Sequence, residues 1–445
     1  MKFKTEEELL EYTSNIAGKT FKEIDSEGLL EDASLKRRKG LLGQVVETGF
    51  YKYPLNNDSR ADFEELGIEL KVTGYVKNKN GSLRAKERLV LSKIDYNEII
   101  YETFENSHVF GKCNKMLIIW YEYDSKKDIR DFLITDYQLY DMHKDKIIFI
   151  NDFEIIKGKI SDGKAHELSE GDTSYLGACT KSSKSTDRTT QPFSEIPAKP
   201  RAYSLKNAYM TGILRELKEK TPPITIKSKY KTVEEYITDK LKPHMGKTQI
   251  EIYEEIIGDI NLNKIPKNIN KHISDKLIGK DKDLPFKNEL FRKTNFIIKN
   301  IPIKEDGQVR ERMSFKTLSL SDFEEPWENS FWKSYFEETT LIVICYEEKN
   351  KSRNGYRVLK SVKKISFNDD DLESFKKTYN QLKLAIELKD LNLLPTPNSF
   401  ENQLLEIAPK GKKGDNAYAN FFKNDKTKVS FMISKKLLNK KLKES

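Results

Sequence analysis

Two carboxylates and an ammonium can hold a divalent cation and direct water at a phosphodiester, and one stretch of this chain carries all three. It is Ala61-Asp-Phe-Glu-Glu-Leu-Gly-Ile-Glu-Leu-Lys-Val-Thr73, with Asp62, Glu69 and Lys71 as the candidates. Hydrolysis of a phosphodiester calls for hard oxygen ligands to Mg²⁺ and a group that orients or activates water. Asp62 and Glu69 are the expected metal ligands, and Lys71 the positioning or activating lysine. A lysine among carboxylates and phosphate stays protonated unless burial or the metal lowers its pKa. The β-branched run predicts a strand, in which side chains alternate between faces. Ile68, Leu70 and Val72 should then enter a core, while Glu69, Lys71 and Thr73 share the opposite face.

An acid-x-Lys pair is weak by itself in a chain that is 33% charged. It recurs at Glu216-Leu-Lys218, Glu347-Glu-Lys349 and Glu387-Leu-Lys389. The Glu216 and Glu387 copies lie in helical apolar spacing, where they read as solvated charges. Only Glu69 combines a strand pattern with an acid upstream. A second element, Lys39-Gly-Leu-Leu-Gly-Gln-Val-Val-Glu47, reads as a helix with Leu41, Leu42, Val45 and Val46 as its apolar stripe. Its four-residue steps put Lys39, Gly43 and Glu47 on one face. Glycine in mid-helix costs about 1 kcal/mol relative to alanine, which points to close approach of backbone or DNA at Gly43. Glu47 is either part of the site or an ordinary surface acid.

Lys39-Gly40, Glu47, Asp62, Glu69 and Lys71 together resemble the MutH-like endonucleases. So do Glu105-Asn-Ser-His-Val109 before the apolar strand Met116-Leu-Ile-Ile-Trp120, Tyr175-Leu-Gly-Ala-Cys-Thr-Lys181, and Arg201-Ala-Tyr-Ser-Leu-Lys206. Gly163-Lys-Ala-His-Glu-Leu-Ser-Glu-Gly-Asp172, continuing through Thr180-Lys181 to Tyr209-Met210, is closer to the two-domain type II restriction enzymes that cut GATC. The likeness is strong over residues 1–220 and weak beyond. It implies that Asp62, Glu69 and Lys71 are catalytic, that Glu47 and Lys39 support them, that Mg²⁺ is the cofactor, and that Lys181 reads base edges. Arg201 and Lys206 are candidates for base reading or for gripping phosphate, the commoner use of such side chains. His108 and His166 either polarise phosphate or bases or are satisfied structural histidines. Where the mismatch-repair members carry a tyrosine tied to sensing adenine methylation, this chain has Ser204, with Tyr203 adjacent.

With 445 residues, two or three domains are expected. Seventy-nine basic against 70 acidic residues leave +9, which suits a polyanion partner and equally a merely basic cytoplasmic protein. No apolar run is long enough for a membrane span, and Met1-Lys-Phe-Lys-Thr-Glu-Glu-Glu8 lacks a signal-peptide core. A cytoplasmic protein is expected. Cys113, Cys179 and Cys345 are scattered without CxxC spacing, so neither disulfides nor a zinc site is expected. Cys345 reads as a core residue.

The second half echoes the first. Glu105-Asn-Ser and Leu117 to Glu122 match Glu328-Asn-Ser and Leu341 to Glu347, while Phe63 to Lys71 match Phe291 to Lys299. Lys86-Glu-Arg88 matches Arg310-Glu-Arg312, and both copies have a hairpin signal, Asn80-Gly81 and Asp306-Gly307. Asp62 then corresponds to Leu290, Glu69 to Ile297 and Lys71 to Lys299, so the second copy lacks metal ligands. Glu289 lies one position from the aligned aspartate, a shift that would face it the wrong way in a strand.

The fold expected is α/β, with two tandem restriction-endonuclease-like domains, each a mixed β-sheet flanked by helices. Residues 1–221 would form the catalytic domain, 222–232 a linker, and 233–445 a degenerate DNA-binding and regulatory domain. Residues 182–200 should be a loop that orders on DNA. The lysine-rich tail, residues 426–445, is either a solvated helix face or, by correspondence with Arg201 to Lys206, a DNA-facing edge. The function expected is a Mg²⁺-dependent type II restriction endonuclease cutting double-stranded DNA 5′ to the guanine of GATC. Such an enzyme has possible self-association on DNA and a cognate DNA methyltransferase as its functional counterpart. The alternatives are a mismatch-repair nicking endonuclease or a DNA-binding regulator without catalysis.

Overall fold

A computed structural model of the chain describes residues 2–31, 40–54, 60–78, 81–181, 184, 186–219, 230–280, 283–284, 288–351, 354–410, 417–424 and 428–444. Lys39 and most of the expected linker lie outside the described residues. The chain divides into two units: Met1–Leu168, Thr173–Ser228 and Arg292–Thr294 form one, and Ser169–Asp172, Lys229–Phe291 and Asn295–Ser445 the other.

The first unit begins with α1 (Glu6–Ser14), whose N-cap Thr5 accepts the Glu8 amide at 3.2 Å, and α2 (Phe21–Ile24). Then α3 (Leu41–Gln44) widens into a π-helical turn over Val45–Phe50. The expected α-helix through Glu47 is thus corrected: from Val45 the turn is π-helical. Among described residues nothing lies within 4 Å of where a Gly43 Cβ would stand, so protein backbone does not explain that glycine.

Strands β1 (Glu69–Lys77), β2 (Leu83–Ala85), β4 (Lys115–Glu122) and β5 (Leu133–Asp141) form a sheet in the order β2-β1-β4-β5, with β1 and β4 parallel. Ile68 and Leu70 join Val45, Val46, Leu117, Ile119 and Ile134 in one core, as the alternation predicts. The central strand β4 is buried on both faces from Met116 to Tyr121, because helices and neighbouring strands cover it. Helix α4 (His108–Cys113) leads into β4, and its N-cap Ser107 accepts the Phe110 amide at 3.2 Å. A second sheet has the order β3-β9-β6, from β3 (Leu89–Lys93), β6 (Leu176–Thr180) and β9 (Arg201–Leu205). Helices α5 (Lys146–Ser161) and α6 (Asn207–Glu219) complete the unit. Residues 182–200 are not simply a loop. They contain the hairpin of β7 (Thr189–Gln191) and β8 (Ser194–Ala198).

The second unit repeats this plan. After α7 (Val233–Leu241), α8 (Gln249–Ile256) and α9 (Ile269–Leu277) come β10 (Phe296–Lys304), β11 (Met313–Thr317) and α10 (Phe331–Glu338). There follow β12 (Thr340–Glu348), β13 (Val358–Ile365), α11 (Asp369–Leu388), β14 (Leu405–Pro409), α12 (Ala417–Asn424), β15 (Val429–Ile433) and α13 (Lys435–Glu444). Its sheets run β10-β12-β13, with β10 parallel to β12, and β11-β15-β14. Cys345 lies in its core, as expected. In the tail, Lys428, Lys435, Lys436, Lys440 and Lys443 are exposed, while its strand and one lysine are interior. β15 is the middle strand of its sheet, with Phe431 and Ile433 buried, and Lys441 of α13 is buried 2.6 Å from Asp371. Among the described residues, no helix is long and apolar enough to cross a membrane.

Candidate active site

The approach to β1 is a tight turn in which the Phe63 amide donates to the Ile68 carbonyl at 2.9 Å, with Gly67 at φ +64°. A β-carbon is strained at that angle, so glycine is the natural occupant. The turn carries Asp62 back over the start of the strand, where its Oδ2 accepts the Leu70 amide at 2.7 Å. Glu69, the first strand residue, is only 4% exposed. A buried carboxylate needs partners, and it has two: Lys71 Nζ donates to Oε1 at 2.6 Å and Lys112 Nζ to Oε2 at 2.9 Å. Lys112 also donates to the Arg60 carbonyl at 2.9 Å, which ties α4 to the segment ahead of Asp62.

Electrostatic coupling places Glu47 in the same group. Burial, then the Asp62 charge, push its carboxyl up to about 7, against the pull of Lys71 and with a further push from Glu69. Burial and the Glu69 charge likewise raise Asp62, opposed by the Leu70 amide and by Lys71 and Lys112. Three carboxylates therefore share one partly desolvated region with two ammoniums. Sequence reasoning missed Lys112. Its signal was available in the phase of the short helix after Glu105-Asn-Ser107, but without the packing of α4 on β1 nothing aimed it at Glu69.

Among the described residues, no group of three His, Cys, Asp or Glu side chains is gathered closely enough to hold an ion unaided. Asp62 and Glu69 nevertheless fit a magnesium ion by donor type, since both offer hard oxygens in a region of excess negative charge. An ion with six oxygen ligands ordinarily completes its shell with water and phosphate oxygens.

The candidates for DNA contact separate clearly. Lys181 is exposed just past β6, where its amide donates to the Pro200 carbonyl at 2.8 Å. His108 is exposed at the first turn of α4. His166 is half-buried, with Nδ1 2.9 Å from the Gln191 side-chain amide. Arg201 is buried, its guanidinium donating to the Ala178 carbonyl at 2.7 Å and to that of Leu168. Lys206 is buried too, donating to the Thr173 carbonyl close to Asp152. These two fasten β9 to the interior, a correction to their expected place at DNA. Tyr203 is also interior, its ring stacked on Phe153 at 6.2 Å.

Known proteins resemble the chain in the same regions. Residues 51–152 match the family model described as the DNA mismatch repair enzyme MutH. The type II restriction enzyme Sau3AI of Staphylococcus aureus is 34% identical over 360 residues, covering 76% of this chain and 72% of that protein. The DNA mismatch repair protein MutH of Vibrio parahaemolyticus is 28% identical over 217 residues, or 47% of this chain and 93% of that protein. The MutH of Histophilus somni is 33% identical over 125 residues, 28% of this chain and 53% of its own length. The longest of these matches runs well beyond the first unit, and with the carboxylate and lysine cluster at the head of β1 it settles the family: the chain belongs to the MutH-like type II restriction endonucleases.

Proposed function

We propose that the chain is a type II restriction endonuclease that hydrolyses double-stranded DNA at GATC, cutting 5′ to the guanine to leave a four-base 5′ overhang. Residues 1–221 would form the cutting domain, 222–232 the linker, and 233–445 a second domain that binds DNA and regulates the first. The observation that carries this reading is the grouping of Asp62, Glu69 and Lys71, with Lys112, on β1 and the elements packed against it. It is supported by the length of the match to a restriction enzyme.

Asp62 and Glu69 would hold Mg²⁺, which when bound supplies charge stabilisation at the phosphoryl oxygens and acidifies water. The chain's own groups do the rest. Lys71 and Lys112 are fixed by Glu69 within a partly buried site, where an ammonium interacts with a phosphate far more strongly than in bulk water. With Glu69 serving as a ligand of the ion, the Lys71 and Lys112 N–H groups would orient an attacking water and the phosphate. Glu47, beside Asp62, is a carboxyl poised to gain or lose a proton near neutrality, which suits a supporting role in water activation. Lys39 is retained as a supporting residue on the family resemblance. Lys181, exposed at the end of β6, is the proposed reader of guanine O6 and N7. His108, exposed on α4, is the proposed phosphate contact.

One such site per chain cuts one strand at a time, so double-strand cleavage calls for two chains on the DNA or for sequential nicking. The companion of such an enzyme is a methyltransferase that protects host GATC, and its workplace is the cytoplasm. The test is to incubate plasmid DNA and Mg²⁺ with the protein and with Asp62→Ala, then sequence the fragment ends. Cleavage at GATC by the unaltered protein alone supports the reading. Nicking that needs a repair partner would favour the mismatch-repair alternative, and tight binding with no cleavage a regulator.

A further inference from the structure

The correspondence between the two units extends past the segments that suggested it. Gly18 at φ +86° and Gly246 at φ +84° donate to the Ile134 and Leu359 carbonyls respectively, and each stands two residues before a helix-capping threonine, Thr20 or Thr248. The same spacing of 228 residues pairs Phe63 with Phe291 and the core residues Leu41 and Val45 with Ile269 and Ile273 on α9. Parallel pairing agrees when Glu122 is matched to Glu347, since Glu69 lies opposite Met116 and Ile297 opposite Leu341, and the bulges after Trp120 and Cys345 coincide in the same register. Helices α4 and α10 start alike, Ser107 capping Phe110 and Ser330 capping Lys333, so Tyr335 stands where Lys112 does.

Position by position, the second unit has changed the charge of the site. Asp62 becomes Leu290, buried at 3% exposure, Glu69 becomes Ile297 and Glu47 becomes Asp275. The remaining acid is neutralised by Lys271, 3.0 Å away, at the position of Gly43. Lys71 is retained as Lys299, whose Nζ donates to the Ser314 carbonyl at 2.7 Å. Two residues along β11 from Ser314, Lys316 lays its ammonium 3.6 Å from the Phe331 ring centroid and 4.7 Å from that of Tyr335. An ammonium thus returns to the neighbourhood of the lost Lys112 equivalent, held by aromatic faces rather than by a carboxylate. The first unit sets three carboxylates against two ammoniums. Among the described residues at the corresponding positions, the second keeps one acid, Asp275, paired with Lys271, and retains Lys299, with Lys316 beside Tyr335.

We propose that this altered site binds a DNA backbone phosphate directly, without a metal ion, through Lys299 and Lys316. The inference rests on the reading that the second unit binds DNA, and it names the contact. In the first unit a phosphate meets net negative charge, so a divalent cation has to mediate. In the second, lysines are already present, and Leu290 and Ile297, at the positions of Asp62 and Glu69, offer no oxygen to a metal ion. Binding there should be indifferent to chelators and steeply dependent on monovalent salt.

The test uses the full-length protein in EDTA and a short fluorescein-labelled duplex bearing one GATC, titrated at several salt concentrations. Lys299→Ala with Lys316→Ala should weaken metal-free binding about tenfold or more and make the log–log salt slope shallower by roughly one to two. Lys299→Arg with Lys316→Arg should stay close to the parent. A second variant, Ile297→Glu, sets a carboxylate two residues before Lys299, as Glu69 precedes Lys71. It should lose metal-free binding and regain it with Mg²⁺, at an unchanged unfolding temperature. Metal-free affinity and salt slope untouched by either the double alanine variant or Ile297→Glu would overturn the proposal. Failure of the unaltered protein to bind or cut duplex DNA even with Mg²⁺ would instead refute the nuclease reading on which it rests.

Discussion

Replacing Glu47 by glutamine should stabilise the metal-free protein under mildly alkaline conditions and leave it unchanged in acid. Burial and the neighbouring Asp62 and Glu69 charges hold the Glu47 carboxyl at about 7, against an ordinary value of 4.5. As pH rises between these values the unfolded chain gives up the proton first, so the folded state binds more protons and stability falls across that window. Above it the loss is complete, and below it both states are protonated and nothing is lost. Each pKa unit is worth 1.36 kcal/mol, so the difference sets a ceiling of roughly 3 kcal/mol. Glu47 is only partly buried, and solvent screening reduces this to about 1–2 kcal/mol. Glutamine keeps the shape and removes the charge. Urea unfolding of both proteins in EDTA at about pH 8 and about pH 4.5 should show the variant ahead by that margin at the first and level at the second. A variant no more stable than its parent at the higher pH, or ahead equally at both, would refute the electrostatic account of this residue.

Three further outcomes follow from the geometry. Lys112→Ala removes one of the two ammoniums on Glu69 and should slow cleavage by roughly ten- to a thousandfold in single-turnover assays while leaving duplex binding near normal. Lys181→Ala should lose about 1–3 kcal/mol of discrimination between GATC and single-base variants, measured as the ratio of their cleavage rates. Arg201→Ala should act on stability instead. It strands the buried Ala178 and Leu168 carbonyls, which costs about 2–4 kcal/mol in urea unfolding, and sequence preference should be unaltered in whatever fraction remains folded.

The residues on β1 were legible because a strand's period of two is local. The spacing of Ile68, Leu70 and Val72 against Glu69 and Lys71 already separates core from site. The repeat was legible for a related reason, since matching segments in the same order imply matching pairings. Contacts between distant segments were not. Lys112 reaches Glu69 only because α4 packs beside β1. Arg201 and Lys206 carry the chemistry of DNA contacts, yet β9 is covered on both faces and both side chains end in the interior, and no local pattern distinguishes a buried arginine bonded to carbonyls from one facing phosphate. The helix at Glu47 was visible, but its π-helical turn depends on how Val45, Val46 and Phe50 settle into the core. The hairpin within 182–200 was hidden by a composition that suits loops and short strands alike.

The parallel pairing of β1 with β4 has a consequence for when the enzyme becomes dangerous. Glu69 and its partner Met116 are separated by the whole of β2, β3 and α4, and loop closure of that length delays such pairings in folding. Asp62 is aimed by the turn into β1, and Lys112 by the helix ahead of β4, so neither is in place before those strands meet. On the proposed site, a chain still being synthesised, or trapped part-way, has no working constellation to turn on DNA. Cutting competence would arrive together with the finished sheet.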